Sequence, residues 1–482
     1  MRANRVVISL VVLSLALVAG CGGGGGNVVS GGGGGGGSAP VNLSLTDTPP
    51  PGVSVLSFEV TVTGATLQPT SGSPVPLLST PIKIEVKRLE TEAAFLSTLN
   101  VNAGTYSSIT VNLANPELTI LNTGAAFTAF GQNCGSGQVC EFKPNVAAGV
   151  TFSGAPFPIT IVANTPAGLL VDLNLDKVLL NPLGIDFSAA GGVTVTQLPA
   201  AQPNERQEDI DNVVGTVVGT PNCTPGNQSF VLHTTNQPAP DLTIKLDPST
   251  VFKDFNEIGL PNSCAGLVAN QIVETDLRLL GGGTLLATKV ELKGRDTSEE
   301  EVEGVIVQIV SATQFKMVAV EETPLINGLE VGNLATVNIR SGASFQIDAE
   351  DLPNVPPAGS SFSSSADLLV GQNVQVRRRS TSSGTTIDTD RIRLRTSRFT
   401  ATVAGAPSGS SFNVNGLPPL FTSATPAIST IQVQTSSQTQ FEGVSGVGSL
   451  VAGNTVSLRG LLFKMAPNPV LVAKKVRRRN TF

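Results

Sequence analysis

Aromatic residues are scarce in this chain of 482 residues, which contains no tryptophan and a single tyrosine, Tyr106. Sites that bind sugars commonly use aromatic side chains as flat surfaces on which sugar rings stack. Most of the 20 phenylalanines lie in runs that alternate between apolar and polar residues. We therefore predict that they belong to the hydrophobic core. The composition argues against a lectin or a glycosidase.

Histidine is equally scarce, since His233 is the only one. Nucleophilic sites of the Ser-His-Asp or Cys-His type need a histidine within reach of the nucleophile. His233 lies in the alternating run 230–234, where it is expected to be an ordinary strand residue. We predict no catalytic residues, no metal site and no cofactor, and we expect a protein that is not an enzyme.

One short motif has the spacing of calcium ligands. Asp172, Asn174 and Asp176 follow a D-x-N-x-D pattern. A calcium loop also needs a glycine at its sixth position and a distal glutamate, whereas Leu173 and Leu175 predict that a strand continues here. We expect a solvated strand face, with a calcium loop as the alternative.

The N-terminus has the features of an export signal. Arg2 and Arg5 precede an apolar run, residues 6–18, that is too short to span a bilayer. Residues 17–21, LVAGC, resemble the lipobox of bacterial lipoproteins. The resemblance implies a signal peptide over residues 1–20 and a lipid-modified Cys21 that anchors the chain to a membrane. An ordinary signal peptide followed by a chance cysteine is the alternative.

A glycine-rich segment, residues 21–39, follows this cysteine and is predicted to be a flexible tether. Gly22, rather than an aspartate, stands directly after Cys21. In lipoproteins of hosts with two membranes, that arrangement resembles an address for the outer membrane. We therefore expect a protein of the bacterial cell envelope, anchored by lipid outside the cytoplasm.

Lipidation of Cys21 would also explain why the number of cysteines is odd. The chain has five cysteines, and the other four form two pairs in sequence of loop character, Cys134 with Cys140 and Cys223 with Cys264. An exported chain folds in an oxidising compartment. Thiolate metal sites usually recruit four ligands, often with histidines. Two disulfides are therefore predicted, with a metal site as the alternative.

The remaining composition predicts an all-β fold. Glycine and proline are abundant, with 51 and 32 residues, and period-two alternation occurs in residues 54–62, 108–113 and 373–376. Such runs between turn residues are typical of short strands with one buried face. A single stretch, residues 89–99, is predicted to be helical. A polar, proline-containing linker is predicted at residues 197–211.

Residues 40–196 resemble an uncharacterised domain found in many bacterial lipoproteins. The resemblance rests on LTDTPP at 45–50, NAGTY at 102–106 and LVDLNLD at 170–176. It is compatible with an immunoglobulin-like or transthyretin-like sandwich, in which Asp47 would bond backbone amides of a turn. The resemblance implies no activity, because that family has none established.

Three stretches downstream repeat a common order of motifs: module 1 (212–295), module 2 (302–396) and module 3 (398–479). The order, V-x-G-x-V, F-x-V, T-x-F, G-x-x-V-x-V-x-G and A-x-x-V, is similar to a small OB-like β-barrel module of bacterial exported proteins. Module 1 departs from it at residues 269–273, where the glycine-led strand should begin. No nucleic-acid partner is expected, because such sites join stacking aromatics to a basic groove.

Charge is distributed unevenly along the chain. Residues 377–482 carry 14 Lys or Arg and 3 Asp or Glu, a net charge of +11, against −17 for the remainder. One interpretation is a surface for anionic polymer or lipid headgroups, formed by Arg391, Arg393, Arg395, Lys474, Lys475 and Arg477. The alternative is pairing with upstream acidic residues, namely Asp296, Glu299, Glu300, Glu301 and Glu303.

These observations favour a lipid-anchored, non-catalytic envelope protein with a structural or adhesive role. The alternative is a binding module for an envelope or extracellular polysaccharide, or for another anionic polymer. The expected partners are the membrane, through the N-terminal lipid, and a polymer or protein of the envelope.

Overall fold

A computed structural model describes residues 37–48, 54–180, 183–198, 209–234, 241–280, 284–293, 300–323, 326–349 and 352–479. The predicted signal peptide, Cys21, most of the tether and residues 199–208 of the linker lie outside the described residues. Strands dominate the described chain, which confirms the all-β prediction. No helix within these ranges is long and apolar enough to cross a membrane.

The N-terminal domain is a β-sandwich. Its strands are β1 (Ser38–Thr48), β2 (Val55–Pro69), β3 (Val75–Leu78), β4 (Ile82–Glu85), β5 (Ala94–Asn102), β6 (Gly104–Leu121), β7 (Phe127–Ala129), β8 (Gln132–Cys134), β9 (Val139–Phe142), β10 (Ala147–Phe152), β11 (Ile159–Ile161), β12 (Ala167–Asn174), β13 (Leu179–Leu180), β14 (Gly184–Ile185) and β15 (Val193–Leu198). A single helical turn, α1 (Leu175–Val178), follows β12.

Two sheets of this domain enclose one apolar core. The smaller sheet has the order β15-β12-β1-β5, and the larger has β10-β6-β2-β3, with β9 and β11 also paired to β6 and β4 to β2. Aliphatic side chains that alternate along the long strands β2 and β6 fill the space between the sheets. The Tyr106 hydroxyl donates to the carbonyl of Asn102 at 2.8 Å, which fixes the corner where β6 begins.

The predicted helix at residues 89–99 is wrong. A short 3-10 turn, Val86–Glu90, is followed by β5, which pairs antiparallel with the edge of β1. Leu89 and Leu96 are buried in the sandwich core. The helix-forming residues of this stretch are overridden because pairing with β1 satisfies the backbone and covers an otherwise open sheet edge.

The three modules follow one another as small barrels. Their strands are β16 (Asp209–Asn222), β17 (Ser229–Thr234), β18 (Leu242–Lys245), β19 (Val251–Lys253), β20 (Ile272–Leu280) and β21 (Thr284–Leu292) in module 1; β22 (Glu300–Ser311), β23 (Gln314–Thr323), β24 (Leu334–Ile347), β25 (Asn373–Arg378) and β26 (Thr386–Arg395) in module 2; and β27 (Ser397–Val403), β28 (Ser411–Asn415), β29 (Ile431–Gln434), β30 (Gln440–Glu442), β31 (Thr455–Phe463) and β32 (Val470–Arg478) in module 3. A helical turn, α2 (Pro419–Thr422), lies in module 3.

All three modules share one strand order. Module 2 is a closed five-stranded barrel, β22-β23-β24-β26-β25. Modules 1 and 3 close in the same way, through the parallel pairs β18–β21 and β29–β32. The long strand β24 pairs with β26 along two stretches. The short strands β18 and β19 take its place in module 1, and β29 and β30 take its place in module 3. This topology confirms the predicted OB-like modules.

A residue with a left-handed backbone conformation precedes β20, β25 and β31, which occupy equivalent positions in the three modules. It is Gly371 in module 2 and Gly453 in module 3, with φ of 88° and 87°. In module 1 the corresponding residue is Asn270, with φ of 69°. Asparagine is among the few residues that tolerate this region. The departure seen in the sequence therefore keeps the same turn before β20.

Both predicted disulfides are present. Cys134 bonds to Cys140 beside the β7–β8 hairpin, and Cys223 bonds to Cys264 within module 1. The two bonds close loops of very different length, with sequence separations of 6 and 41.

We expect the longer loop to contribute more to stability. Replacing both Cys223 and Cys264 by serine should lower the free energy of unfolding by about 4 kcal/mol, against about 2 kcal/mol for the pair Cys134 and Cys140, because loop-closure entropy grows with loop length. Urea denaturation of the two double variants measures the difference. Equal losses, or free thiols at all four positions in the wild type, would contradict the prediction.

Candidate functional site

The six basic residues singled out from the sequence all have acidic partners. On β26, Arg391 pairs with Glu301, Arg393 with Glu291, and Arg395 with several carboxylates. On β32, three further pairs are Lys474 with Asp276, Lys475 with Glu442 and Arg477 with Glu442. The arginines of β26 share one strand face, as predicted, but that face is covered by other parts of the chain.

The arrangement is the pairing that the alternative interpretation predicts. Glu301 and Glu303 pair with Arg391 and Arg395, and Glu300 pairs with Arg378. The other two acidic residues of that alternative, Asp296 and Glu299, lie outside the described residues.

Some of these pairs belong to a largely buried set of charged side chains between the modules, which we name the central cluster. Its members are Glu274, Asp276, Lys289, Glu291, Lys293, Glu303, Asp348, Arg393, Arg395 and Lys474. Five carboxylates therefore meet five cations. Module 1 contributes five members, module 2 contributes four, and module 3 contributes Lys474.

Glu274 is at the middle of the central cluster. Its side chain is fully buried, and its two oxygens accept from Arg395 at 2.9 and 3.0 Å. Lys289 lies 3.2 Å and Lys293 2.6 Å from the same carboxylate. Arg395, itself 2% exposed, also contacts Glu303 at 3.3 Å. A carboxylate of module 1 is thus shared by cations of modules 1 and 2.

The cations of the central cluster outweigh the effect of burial on the pKa values of its carboxylates. Burial alone would raise the pKa of Glu274, but Arg395, Lys293 and Lys289 hold that pKa well below its usual range. In the same way, Lys293 and Lys289 lower the pKa of the buried Glu291 to about 2. These carboxylates are therefore ionised at neutral pH.

A second set of buried charged side chains joins the sandwich to module 3. It consists of Glu92, Arg398 and Arg459, and we name it the docking cluster. Glu92, in the segment before β5, accepts from Arg398 at 2.5 and 3.0 Å and lies 2.9 Å from Arg459. Arg459 also donates to the Thr396 hydroxyl at 3.1 Å. Burial would raise the pKa of Glu92, but the two arginines lower it. Glu90 adds a contact by accepting from the Thr400 hydroxyl at 3.2 Å.

The sandwich also contacts module 2 through ion pairs. Arg88 lies 2.5 Å from Glu321. Lys143 lies 3.0 Å from Glu117, 3.0 Å from Glu141 and 2.5 Å from Glu330 of module 2. The oxygens of these three glutamates fall within 4.8 Å of one another, as metal ligands would. The Lys143 ammonium is in contact with all three, so this set is an ion-pair cluster.

Asp47 is the next-to-last residue of β1, and residues 49–53, where the turn is expected, lie outside the described residues. Asp47 is fully buried, and neither of its oxygens has a hydrogen-bond partner among the described residues, so the expected bonds to backbone amides are not found there. Burial raises its pKa well above the usual range, against the opposing charges of Arg479 and Lys87. The ionised form of Asp47 therefore destabilises the fold.

We expect Asp47→Asn to raise the melting temperature at pH 8 by about 2–4 °C, which corresponds to about 1 kcal/mol. A raised folded-state pKa means that wild-type stability is complete below the unfolded pKa of 3.8 and falls as pH rises through the folded value. The gain should therefore vanish near pH 3.5. Asp186→Asn is the control. It should not raise the melting temperature at pH 8, because hydrogen bonds from Ser188 lower the pKa of that carboxyl. Destabilisation at pH 8 by Asp47→Asn would contradict the prediction.

The calcium-like motif is divided between two elements. β12 ends at Asn174, whose side chain accepts from the Asp176 amide at 3.1 Å and caps α1. The predicted continuation of the strand through Leu175 is therefore wrong. Asp176 pairs with Lys177 at the surface, while Asp172 lies within the strand and is half-buried.

A cleft of about 1080 Å³ lies between the sandwich, module 1 and module 2. The segment from β3 to β5 forms one wall, strands β16 to β18 form a second, and the end of β23 with the following loop forms the third. His233 borders this cleft, where its Nδ1 lies 2.8 Å from the Asp241 carboxylate. Ligand sites of this size occur preferentially at domain interfaces. Sequence reasoning missed the cleft, because its walls come from distant segments.

Comparisons with known proteins identify domains without an assigned activity. Residues 38–186 match the family described as "Domain of unknown function (DUF4382)", and residues 225–291 and 401–477 match that described as "Domain of unknown function (DUF5666)". No curated protein matches the chain. A solved structure titled "drosophila Unr CSD456" is 8% identical, covers 56% of this chain and 98% of its own, and has a TM-score of 0.13, too low to support an argument. The chain therefore resembles one uncharacterised domain in its sandwich and a second, repeated one in modules 1 and 3.

Proposed function

We propose that the protein is a lipid-anchored component of the bacterial envelope with a structural or adhesive role and no catalytic activity. The main support is the way in which its four domains are joined. The central cluster and the docking cluster place buried, mutually neutralising charges between domains, and removing one partner of a buried pair is strongly destabilising. Paired charges of this kind specify one arrangement of the domains, which suits a structural or adhesive protein.

The two disulfides support the location. They are consistent with an extracytoplasmic protein, since disulfides persist in oxidising compartments. The lipobox-like segment that ends at Cys21 supports attachment to a membrane. The rival role, binding of a polysaccharide or other anionic polymer, has less support, because the arginines of β26 already pair with carboxylates.

We expect mass spectrometry of the membrane fraction to find a chain that begins at an acylated Cys21. Cys21→Ser should release the protein from membranes or leave it unprocessed, because acyl chains supply most of the attachment energy. Cys134→Ser with Cys140→Ser is the matched control, since it changes cysteines without removing the anchor. A wild-type chain without lipid that begins elsewhere would overturn the anchor.

The role itself is tested in cells that lack the protein. Wild type should restore envelope integrity in detergent, or attachment of cells to a surface, whereas Cys21→Ser should restore neither. Full restoration by Cys21→Ser, or restoration that depends on turnover of a substrate, would overturn the proposed role.

A further inference from the structure

The cleft between the sandwich, module 1 and module 2 has apolar walls. Leucine, isoleucine and valine side chains from all three domains line it, including Leu99 of β5, Leu242 of β18 and Val331 of module 2. These three side chains are neither fully buried nor fully exposed. A hydrocarbon group could therefore contact apolar surface from three domains at once.

One end of the cleft is rich in carboxylates. Glu59 of β2 lies opposite Glu85 of β4, and Glu322 of β23 faces the same region. Lys83 lies 2.6 Å from Glu59, and its charge also acts on Glu322. The ammonium of Lys83 is shared, because it lies 2.9 Å from Glu117 as well. We name Glu59, Glu85 and Glu322 the carboxylate end.

The other charged groups that line the cleft do not offset this excess. Arg88 is engaged with Glu321 at 2.5 Å. His233 is engaged with Asp241 at 2.8 Å. The cleft therefore combines apolar walls with an excess of negative charge at one end, which is complementary to a ligand that is apolar along its body and cationic at its head.

We propose that this cleft binds a small amphiphilic organic cation, with its hydrocarbon body between the apolar walls and its cationic head at the carboxylate end. This inference goes beyond the proposed structural role and does not depend on lipidation. An anionic amphiphile of the same length would meet like charge at the carboxylate end. A sugar would lack the aromatic surfaces on which sugars commonly stack.

The test is a titration of the full chain, carrying Cys21→Ser to keep lipid out of the assay. The probes are dodecyltrimethylammonium, dodecyl sulfate and dodecyl maltoside, each below its micelle concentration, with binding measured by calorimetry. The titration is made at pH 8, because burial raises the pKa of all three carboxyls of the carboxylate end, and that of Glu59 to about 7. We expect saturable binding of the cation at one site, at least tenfold tighter than binding of the other two probes.

Two variants locate the site. Glu322→Gln should weaken binding of the cation about tenfold, because it removes charge from the carboxylate end. Leu242→Lys should abolish binding, whereas Val251→Lys, which changes an exposed apolar residue of the same module outside the cleft, should leave it unchanged. A melting curve confirms that each variant is folded, and Glu322→Gln decides alone if Leu242→Lys does not fold. Equal affinity for the three probes, no binding, or binding unaffected by Glu322→Gln would overturn the proposal.

Discussion

Glu274→Gln is expected to lower the free energy of unfolding by about 3–5 kcal/mol. The substitution keeps the size of the side chain but removes the charge that Arg395, Lys289 and Lys293 share. Three cations would then remain buried with too few carboxylates, and an uncompensated buried charge is far more costly than an exposed one. The shift of the urea transition, followed together with proteolysis of the full chain, measures the loss.

A matched control separates burial from charge. Glu300 also pairs with an arginine, Arg378, but the glutamate side chain is 37% exposed. Glu300→Gln should therefore change stability by no more than about 1 kcal/mol. In a double-mutant cycle, Arg395→Gln should cost much less in the Glu274→Gln background than in the wild type, because the two residues act on each other. Equal losses for Glu274→Gln and Glu300→Gln would contradict the role of the central cluster.

Acid should weaken the same cluster. The cations lower the folded-state pKa of Glu274, and that of Glu291 to about 2, from an ordinary value of 4.5. A depressed folded-state pKa gives stability that is present above the unfolded value and lost as pH falls through the folded one. The wild type should therefore lose stability between about pH 4.5 and 2. Glu274→Gln should lose less over that range.

Much of the architecture follows from local sequence patterns. Alternating runs predict the strands, and the repeated order of motifs predicts the small OB-like barrels of the downstream part of the chain. The cysteine count predicts both disulfides. Each of these signals is short-range or is a property of the whole chain, so it can be seen without knowledge of which strands meet.

The failures have a common physical cause. Residues 89–99 have helical composition, yet β5 forms there because β1 offers an unpaired edge. Asp47, expected to bond backbone amides, instead occupies a buried position of β1. In both cases the deciding partner is remote in sequence. β5 begins 46 positions after the last residue of β1, and Asp47 pairs with Leu173 of β12, so no local pattern reports either contact.

The charged clusters could be predicted only in part. Alternating charges at Lys289, Glu291 and Lys293 indicate one polar strand face, and a solvated surface is the ordinary interpretation of such a face. The structure instead buries it against the arginines of β26. The acidic excess of the first part of the chain and the basic excess of residues 377–482 are the sequence signal of this pairing. That signal identifies complementary partners without giving the contacts.

Glu92→Gln is expected to release the sandwich from module 3. The substitution removes the negative charge that Arg398 and Arg459 share, and both arginine side chains are almost fully buried. We expect a loss of about 3–5 kcal/mol at this interface. Because a multidomain chain need not unfold in one step, the loss should be seen as a separate early transition in calorimetry and as faster proteolysis within residues 197–211.

Two further variants make this prediction specific. Asp176→Asn, at the exposed pair with Lys177, should leave the melting curve within about 1 kcal/mol of the wild type. Adding Arg459→Met to Glu92→Gln should recover much of the loss, because it removes one of the two opposed cations and replaces it with an apolar side chain. A single unchanged transition for Glu92→Gln would show that the domains are held together by their apolar contacts alone. In that case the buried ion pairs would set which faces meet without contributing to the strength of the joint.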